Sequence, residues 1–178
     1  MPKSLYVFGY SLWADATALA VTELGYHEGE VTSKTLNLVE GANFNPVFLK
    51  LNPNGTVPTL EADGKVYTNT DNISYLAKNA TGKVKEGNPS IIQAIHDDRY
   101  DPNFAILRDE TELTAKGQSL QGMFLPNREA ALENYSRMPE AEPYKSFYEP
   151  RLVTNRGLLA IFMRKVAAEV QAVLAQFT

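Results

Sequence analysis

Few residue types in this chain could do chemistry, and the absence of cysteine removes several kinds of site. With no cysteine among 178 residues, the chain has no disulfide, no thiolate zinc site and no cysteine nucleophile. His96 lies close to Asp97, Asp98 and Asp101, which is a candidate metal cluster. Its spacing matches no known ligand pattern, and adjacent acids on a helix point to different faces. The sequence therefore favours a solvated helix end over a metal site.

Two hydroxyl-bearing residues stand at predicted junctions between a strand and a helix. Ser11 follows a short aromatic and β-branched run at residues 5–8 and precedes apolar residues at helical spacing. Thr70 precedes Ile73 and Leu76 in the same way. Helix capping is the simplest role for both hydroxyls, because a serine or threonine oxygen accepts a hydrogen bond from the first free amides of a helix.

The elements that must position these side chains alternate between strand and helix through the first 80 residues. Strands are predicted at 5–8, near 30–32, at 57–61 and at 66–67, with helices at 16–24, 44–51 and 70–80. Gly25 stands where a left-handed residue is expected to end the first helix. The first crossover should return parallel, and the tight turn at 62–65 makes the last strand pair antiparallel. A mixed sheet flanked by helices follows.

The second half of the chain predicts helices only. Residues 82–89 are rich in Gly, Lys, Asn and Pro and are predicted to form a linker. Beyond them, helices are expected to start near Ile91, after Pro126, and as a long last helix from Leu159. The predicted fold class is α/β plus all-α, with an α/β domain at 1–81 and an all-helical domain at 90–178.

Charge and hydropathy narrow the class of function. A net charge of −4 argues against a nucleic-acid or anionic-membrane partner. No run of about 18 apolar residues is present, so no membrane span is predicted. Asp15 interrupts the early apolar stretch, which argues against a signal peptide. We therefore expect a cytoplasmic protein.

The segment Asn52-Pro53-Asn54-Gly55-Thr56-Val57-Pro58-Thr59-Leu60-Glu61, placed before a helix near Thr70, resembles the cytosolic glutathione transferase family. The tracts at 96–104 and 127–132 resemble its fungal members. The resemblance implies a thioredoxin-like N-terminal domain in which Pro58 is cis. It also implies that the Val57 N–H and C=O pair with the cysteinyl unit of glutathione, as an added strand would. The implied activity is conjugation of glutathione, with no further cofactor, to small apolar electrophiles.

The same resemblance assigns the thiol-activating group. Counting back from Gly25, Ser11 falls on the catalytic hydroxyl position of the serine-type classes, and Val7 falls on that of the tyrosine-type classes. Many relatives follow this serine with proline, whereas Leu12 and Trp13 follow it here.

The residues expected to bind the γ-glutamyl end of glutathione depart from the family pattern. Asn69 and Thr70 stand where relatives usually carry an acidic residue and a serine, which hold the γ-glutamyl ammonium and carboxylate. Asn69 lacks the countercharge, and neutral hydrogen bonds are about half as strong as charge-assisted ones, so we predict weakened glutathione affinity. The Asp71 carboxylate could replace the missing charge or repel the γ-glutamyl carboxylate, and the sequence leaves both alternatives open. A capping role for this triplet also stays open.

The remaining contacts of the ligand and co-substrate are also implied by resemblance. Lys50 and Lys34 are candidates for the glycine carboxylate of glutathione, because a dicarboxylate needs cationic partners. Tyr100 and Phe104 are candidates for the apolar co-substrate pocket between the domains. Trp13 is a third candidate, with a core role left open. A homodimer is implied through the helix from Thr70 and the first helix of the second domain.

The sequence leaves a second class of function open. The chain could be a non-catalytic protein of glutathione transferase fold that binds ligands or docks partners, because fold does not fix function. Asn69 favours this alternative, as does a helical domain shorter than in most relatives. The glutathione-dependent thiol reductases of this fold are excluded, because they use a cysteine at the activating position.

Overall fold

The chain forms a four-stranded sheet with flanking helices, followed by a region of helices. In the computed structural model the described residues are 3–9, 11–82, 87–95 and 120–164. The first part comprises β1 (Lys3–Val7), α1 (Leu12–Glu23), β2 (Val31–Thr35), a 3₁₀-helix (Ala42–Phe44), α2 (Pro46–Leu51), β3 (Thr59–Ala62), β4 (Lys65–Thr68) and α3 (Thr70–Asn79). The second comprises α4 (Pro89–Ile95), a π-helical turn (Leu120–Phe124), α5 (Leu125–Ser136), a 3₁₀-helix (Pro139–Tyr144) and α6 (Lys145–Arg164).

The sheet has the strand order β2-β1-β3-β4. β1 and β2 are parallel, as a βαβ crossover through α1 requires, and the β1–β3 and β3–β4 pairs are antiparallel. Gly25 has a φ of 76°, so the chain leaves α1 through the left-handed residue that the sequence predicts. This is a thioredoxin-like domain, and the predicted mixed sheet is confirmed.

The core of this domain lies between the sheet and helices α1 and α3. The central strands supply Leu5, Leu60 and Ala62, and the helical side supplies Leu24 and Leu76, all at most 2% exposed. Full burial of one leucine side chain stabilises a fold by about 1.5–3 kcal/mol. These contacts hold α1 and α3 side by side on one face of the sheet.

The helical region confirms three predicted helices and corrects the start of one. α4 includes Ile91, and α5 has Pro126 in its first turn. The last helix begins at Lys145 instead of near Leu159. Its first turns alternate exposed polar residues with the buried Phe147 and Tyr148, so their apolar periodicity is too sparse to be read as a helix. The predicted break at Asp101-Pro102, residues 83–86 of the predicted linker and the end of the last helix lie outside the described residues.

A second core joins the two parts of the chain. Phe44 and Leu49, from the thioredoxin-like domain, pack with buried residues of the helical region: Ala131, Leu132, Ala141, Phe147 and Tyr148. The Tyr148 hydroxyl donates a hydrogen bond of 2.7 Å to the carbonyl oxygen of Phe44. Arg151 stacks on the Phe147 ring at 3.6 Å and donates to the carbonyl of Asn54 at 3.1 Å.

Among the described residues, no helix is both long and apolar enough to cross a bilayer.

Candidate functional site

The candidate site is built at one edge of the sheet, where three chain segments meet. The strand register pairs Tyr6 with Thr59 and Thr59 with Thr68. β1 and β4 therefore run toward this edge and β3 runs away from it. Ser11 follows the end of β1, Val57 precedes the start of β3, and Thr70 follows the end of β4, so the fold brings these three predicted site residues to the same edge.

Ser11 is the N-cap residue of α1, directly before Leu12, and its hydroxyl makes no capping hydrogen bond. Its backbone is extended (φ −108°, ψ 110°), its N–H donates to the Phe8 carbonyl at 2.9 Å, and its carbonyl accepts from the Asp15 N–H at 2.9 Å. The side chain makes no capping hydrogen bond and is half-buried. The hydroxyl therefore lies beside the positive end of the helix dipole with its hydrogen-bonding capacity available to a ligand.

The loop before β3 holds Val57 from both sides. The Val57–Pro58 peptide bond is cis. The Thr56 carbonyl accepts from the Asn52 side chain at 3.1 Å, and the Pro58 carbonyl accepts from the Asn72 side chain at 3.4 Å. Within the described residues, the N–H and C=O of Val57 itself have no hydrogen-bond partner. A ligand with a peptide backbone could therefore add to this segment as a short strand.

Asn52 organises the loop, a role that sequence reasoning missed. Its Nδ2 donates to the Thr56 carbonyl, to the Thr56 hydroxyl at 3.1 Å and to the Thr59 hydroxyl at 2.8 Å, while its Oδ1 accepts from the Asn54 N–H at 3.0 Å. The side chain is 1% exposed. The Asn52-Pro53-Asn54-Gly55 cluster marks a turn in the sequence, but only the hydrogen bonds of the structure show that Asn52 ties this turn to Thr56.

The start of α3 differs in detail from the sequence prediction. Asn69, not Thr70, is the N-cap residue, and its side chain makes no capping hydrogen bond. Asn69 has a φ of 52° and a ψ of −133°, a combination that costs non-glycine residues about 1–3 kcal/mol. Thr70 is the first helical residue, and both side chains are exposed. The predicted capping role of Thr70 is therefore wrong, and both polar groups face solvent at the edge of the sheet.

One family model matches the first part of the chain. Residues 10–79 match the family model of the glutathione S-transferase N-terminal domain. The match covers the thioredoxin-like domain from just before Ser11 through α3, and it supports the glutathione transferase family for this part of the chain. Among curated proteins, none matches the sequence.

Comparison with solved structures gives matches at low sequence identity. A β-etherase from Sphingobium sp. strain SYK-6 is 18% identical with a TM-score of 0.51, covering 90% of this chain and 70% of its own. A glutathione transferase homologue from Sulfitobacter, solved with bound glutathione, is 14% identical with a TM-score of 0.49, covering 98% of both chains. An epsilon-class glutathione S-transferase from the housefly Musca domestica is 17% identical with a TM-score of 0.45, covering 90% of this chain and 97% of its own. At such identity the β-etherase likeness shows the fold alone.

The two lysines predicted to face the glycine carboxylate of glutathione differ in their surroundings. The Lys34 ammonium donates to the Tyr6 hydroxyl at 3.3 Å and lies 5.0 Å from the centre of its ring. Lys50, in the last turn of α2, is exposed and has no partner within the described part of the chain. Lys50 is therefore the freer of the two cations for a carboxylate.

The residues predicted to line a co-substrate pocket are only partly described. Trp13 is half-buried in the first turn of α1, beside Ser11. Tyr100 and Phe104 lie outside the described residues, as do His96 and the acidic residues near it. In the described ranges, no group of three or more His, Asp or Glu side chains could hold a metal ion.

Shifted pKa values are found at the opposite end of the sheet and in the helical region. The Tyr75 hydroxyl donates to Asp63, in the turn at the opposite end of β3 and β4, and this hydrogen bond raises the pKa of Tyr75 to about 12. Burial, helped by repulsion from Arg151, lowers the pKa of Arg128 to about 10. The Arg128 guanidinium lies 4.6 Å from the ring centre of Phe44 and 5.0 Å from that of Phe124, which offsets part of the cost of burial.

Proposed function

We propose that this chain is a serine-type glutathione transferase that conjugates the glutathione thiolate to small apolar electrophiles. The observation that carries the proposal is the Ser11 hydroxyl, which is left out of helix capping at the edge where the open Val57 backbone and Thr70 also lie. The family match at residues 10–79 supports glutathione as the ligand.

The binding mode follows from the groups at this edge. The cysteinyl unit of glutathione pairs with the N–H and C=O of Val57, and its γ-glutamyl carboxylate lies at the start of α3, beside Thr70. Lys50 is the proposed partner of the glycine carboxylate. Asn69 offers the γ-glutamyl ammonium a neutral hydrogen bond, so affinity is below that of a site with an acidic residue.

The chemical step needs a thiolate, and the available groups supply enough free energy to form one. Lowering a thiol pKa by two units requires about 2.7 kcal/mol. A hydrogen bond from Ser11 to the charged sulfur contributes about 1.5–3 kcal/mol, and the start of α1 contributes about 0.3–1 kcal/mol. The sulfur then attacks the electrophilic carbon. With an aryl halide, the C–S bond forms, the carbon–halogen bond breaks, halide leaves and the thiol proton passes to solvent.

The test compares wild type, Ser11→Ala and Ser11→Thr with an activated aryl chloride. We expect Ser11→Ala to lower kcat/KM by about 10- to 100-fold, the equivalent of one hydrogen bond to a charged acceptor. Its pH–rate profile should shift to higher pH, because losing the donor raises the thiol pKa. Ser11→Thr keeps the hydroxyl and should retain most of the activity.

Two results would refute parts of this proposal. If wild type binds glutathione without turnover, the chain is a binding protein and not an enzyme. If Ser11→Ala matches wild type in rate and pH profile, the enzyme survives and Ser11 loses its role. The homodimer stays a proposal, which sedimentation of the full chain tests directly.

A further inference from the structure

A buried hydrogen-bond network links the three segments that meet at the candidate site. The Thr17 hydroxyl, in α1, donates to the Asn72 Oδ1 at 3.1 Å, and the Asn72 Nδ2, in α3, donates to the Pro58 carbonyl at 3.4 Å. Thr17 and Asn72 are both 0% exposed. A polar side chain buried to this degree is costly unless its hydrogen bonds are made, so these residues fix one arrangement of the helices and the loop.

Each member of the network lies close in sequence to a proposed glutathione contact. Thr17 is in the helix that Ser11 starts, Asn72 is two residues beyond Thr70, and the Pro58 carbonyl follows Val57 directly. Apolar packing of α1 against α3 tolerates small sliding movements, because it is non-directional. A directional bond through one carboxamide sets the positions of the two helix starts and the loop relative to one another.

The network and Asn52 act on opposite sides of Val57. Asn52 holds the Thr56 carbonyl, and Asn72 holds the Pro58 carbonyl. With both neighbouring carbonyls engaged, the Val57 N–H and C=O are left for a ligand. Asn72 is therefore placed to determine how well this backbone is aligned, although it is too buried to touch the ligand.

We propose that Asn72, with Thr17, is a positioning residue for glutathione. It holds the Val57–Pro58 backbone in register with the starts of α1 and α3, so that one tripeptide spans all three segments. The inference rests on the proposed function, because it names the part of that site that pre-organises the loop.

The test uses substitutions that keep volume and remove hydrogen bonds. Thr17→Val removes the hydroxyl donor, Thr17→Ser restores it, and Asn72→Leu removes both bonds of the carboxamide. The matched control is Asn155→Leu, because Asn155 is 4% exposed and donates to the Leu125 carbonyl at 2.9 Å. The control thus loses a similar buried bond in the helical region, away from the candidate site.

Two measurements on the full chain separate positioning from general stability. The first is hydrogen exchange of residues 55–62 without ligand, which should speed up by about 3- to 10-fold in Thr17→Val and Asn72→Leu relative to Asn155→Leu. The second is steady-state kinetics, where KM for glutathione should rise by about 3- to 10-fold while kcat at saturating glutathione stays within about twofold. Thr17→Ser should return both values toward wild type.

The outcomes distinguish this inference from the proposed function. If loop exchange and KM in the network variants match those of Asn155→Leu, the two residues only stabilise the fold, and the inference is overturned. If wild type does not bind glutathione, the proposed function is wrong, and so is the claim that Asn72 and Thr17 position glutathione. If Asn72→Leu does not fold, comparison of Thr17→Val with Thr17→Ser decides between positioning and stability in the same way.

Discussion

Replacing Gly55 by alanine should destabilise the protein far more than the same change at Gly64. Both glycines have a left-handed backbone, with φ of 62° and 73°. A Cβ at Gly55 would lie 2.8 Å from the Cζ of Phe147 and 3.0 Å from the carbonyl oxygen of Asn43, whereas a Cβ at Gly64 would meet nothing within 4 Å. The pair therefore separates the backbone cost from the steric cost.

The steric cost at Gly55 is high because its neighbours are held in place. The Phe147 ring is 7% exposed and lies under the Arg151 guanidinium. The Asn43 side chain donates to the Gly55 carbonyl at 2.7 Å, which holds Asn43 close to the Gly55 backbone. Overpacking of this kind costs about 1–3 kcal/mol, and the left-handed backbone adds about 1–2 kcal/mol at either position.

Thermal unfolding followed by circular dichroism measures the difference. At about 2–4 °C per kcal/mol for a chain of this size, Gly64→Ala should lower Tm by about 2–8 °C and Gly55→Ala by about 4–20 °C. The Tm of Gly55→Ala should be at least about 2 °C below the Tm of Gly64→Ala. Equal losses in the two variants would refute the reasoning, because the contact between Gly55 and Phe147 would then carry no cost.

Two further substitutions test the start of α3 and the contact between the two parts of the chain. Asn69→Glu should tighten glutathione binding by about tenfold, because it supplies a charge-assisted partner for the ammonium; calorimetry showing submicromolar binding by wild type, or no gain in the variant, would contradict this. Tyr148→Phe should lower stability by about 1 kcal/mol at neutral pH, because the bond to Phe44 is lost. Burial raises the pKa of Tyr148 from 10.0 to about 12, so its neutral form stabilises the fold below pH 10 and that contribution is lost as pH rises through 12. The stability difference between wild type and Tyr148→Phe in urea titrations should therefore shrink over this range, and a constant difference would contradict the assignment.

The sheet and the first helix could be predicted because their signals are local. A β-branched and aromatic run identifies β1, apolar spacing identifies α1, and Gly25 marks where α1 ends. The exit into the left-handed region at Gly25 is visible in the sequence, since glycine is the residue that adopts it without a steric cost. The left-handed backbone of Asn69 is not, because asparagine at a strand end is equally compatible with an ordinary cap.

The polar residues that hold the site together could not be predicted, because their partners are far apart in sequence. Asn72 follows Thr70 in a helix start, where asparagine normally faces water, and only the fold shows its contact with Thr17, 55 residues away. Asn52 has the same ambiguity, because buried and exposed turn asparagines look identical in sequence. Only the family resemblance predicts a catalytic role for Ser11. The structure adds that the Ser11 hydroxyl makes no capping hydrogen bond.

The shared core around Phe44 and Tyr148 means that the first domain is not an independent module. A fragment that stopped near residue 82 would expose the Phe44 and Leu49 side chains that the helical region covers, and such surfaces favour aggregation. The glycine-containing loop that leads to Val57 is also clamped from the helical side, through Phe147 and Arg151. Sequence changes in the helices can therefore alter how firmly the backbone before Val57 is held, although they lie in a different part of the chain.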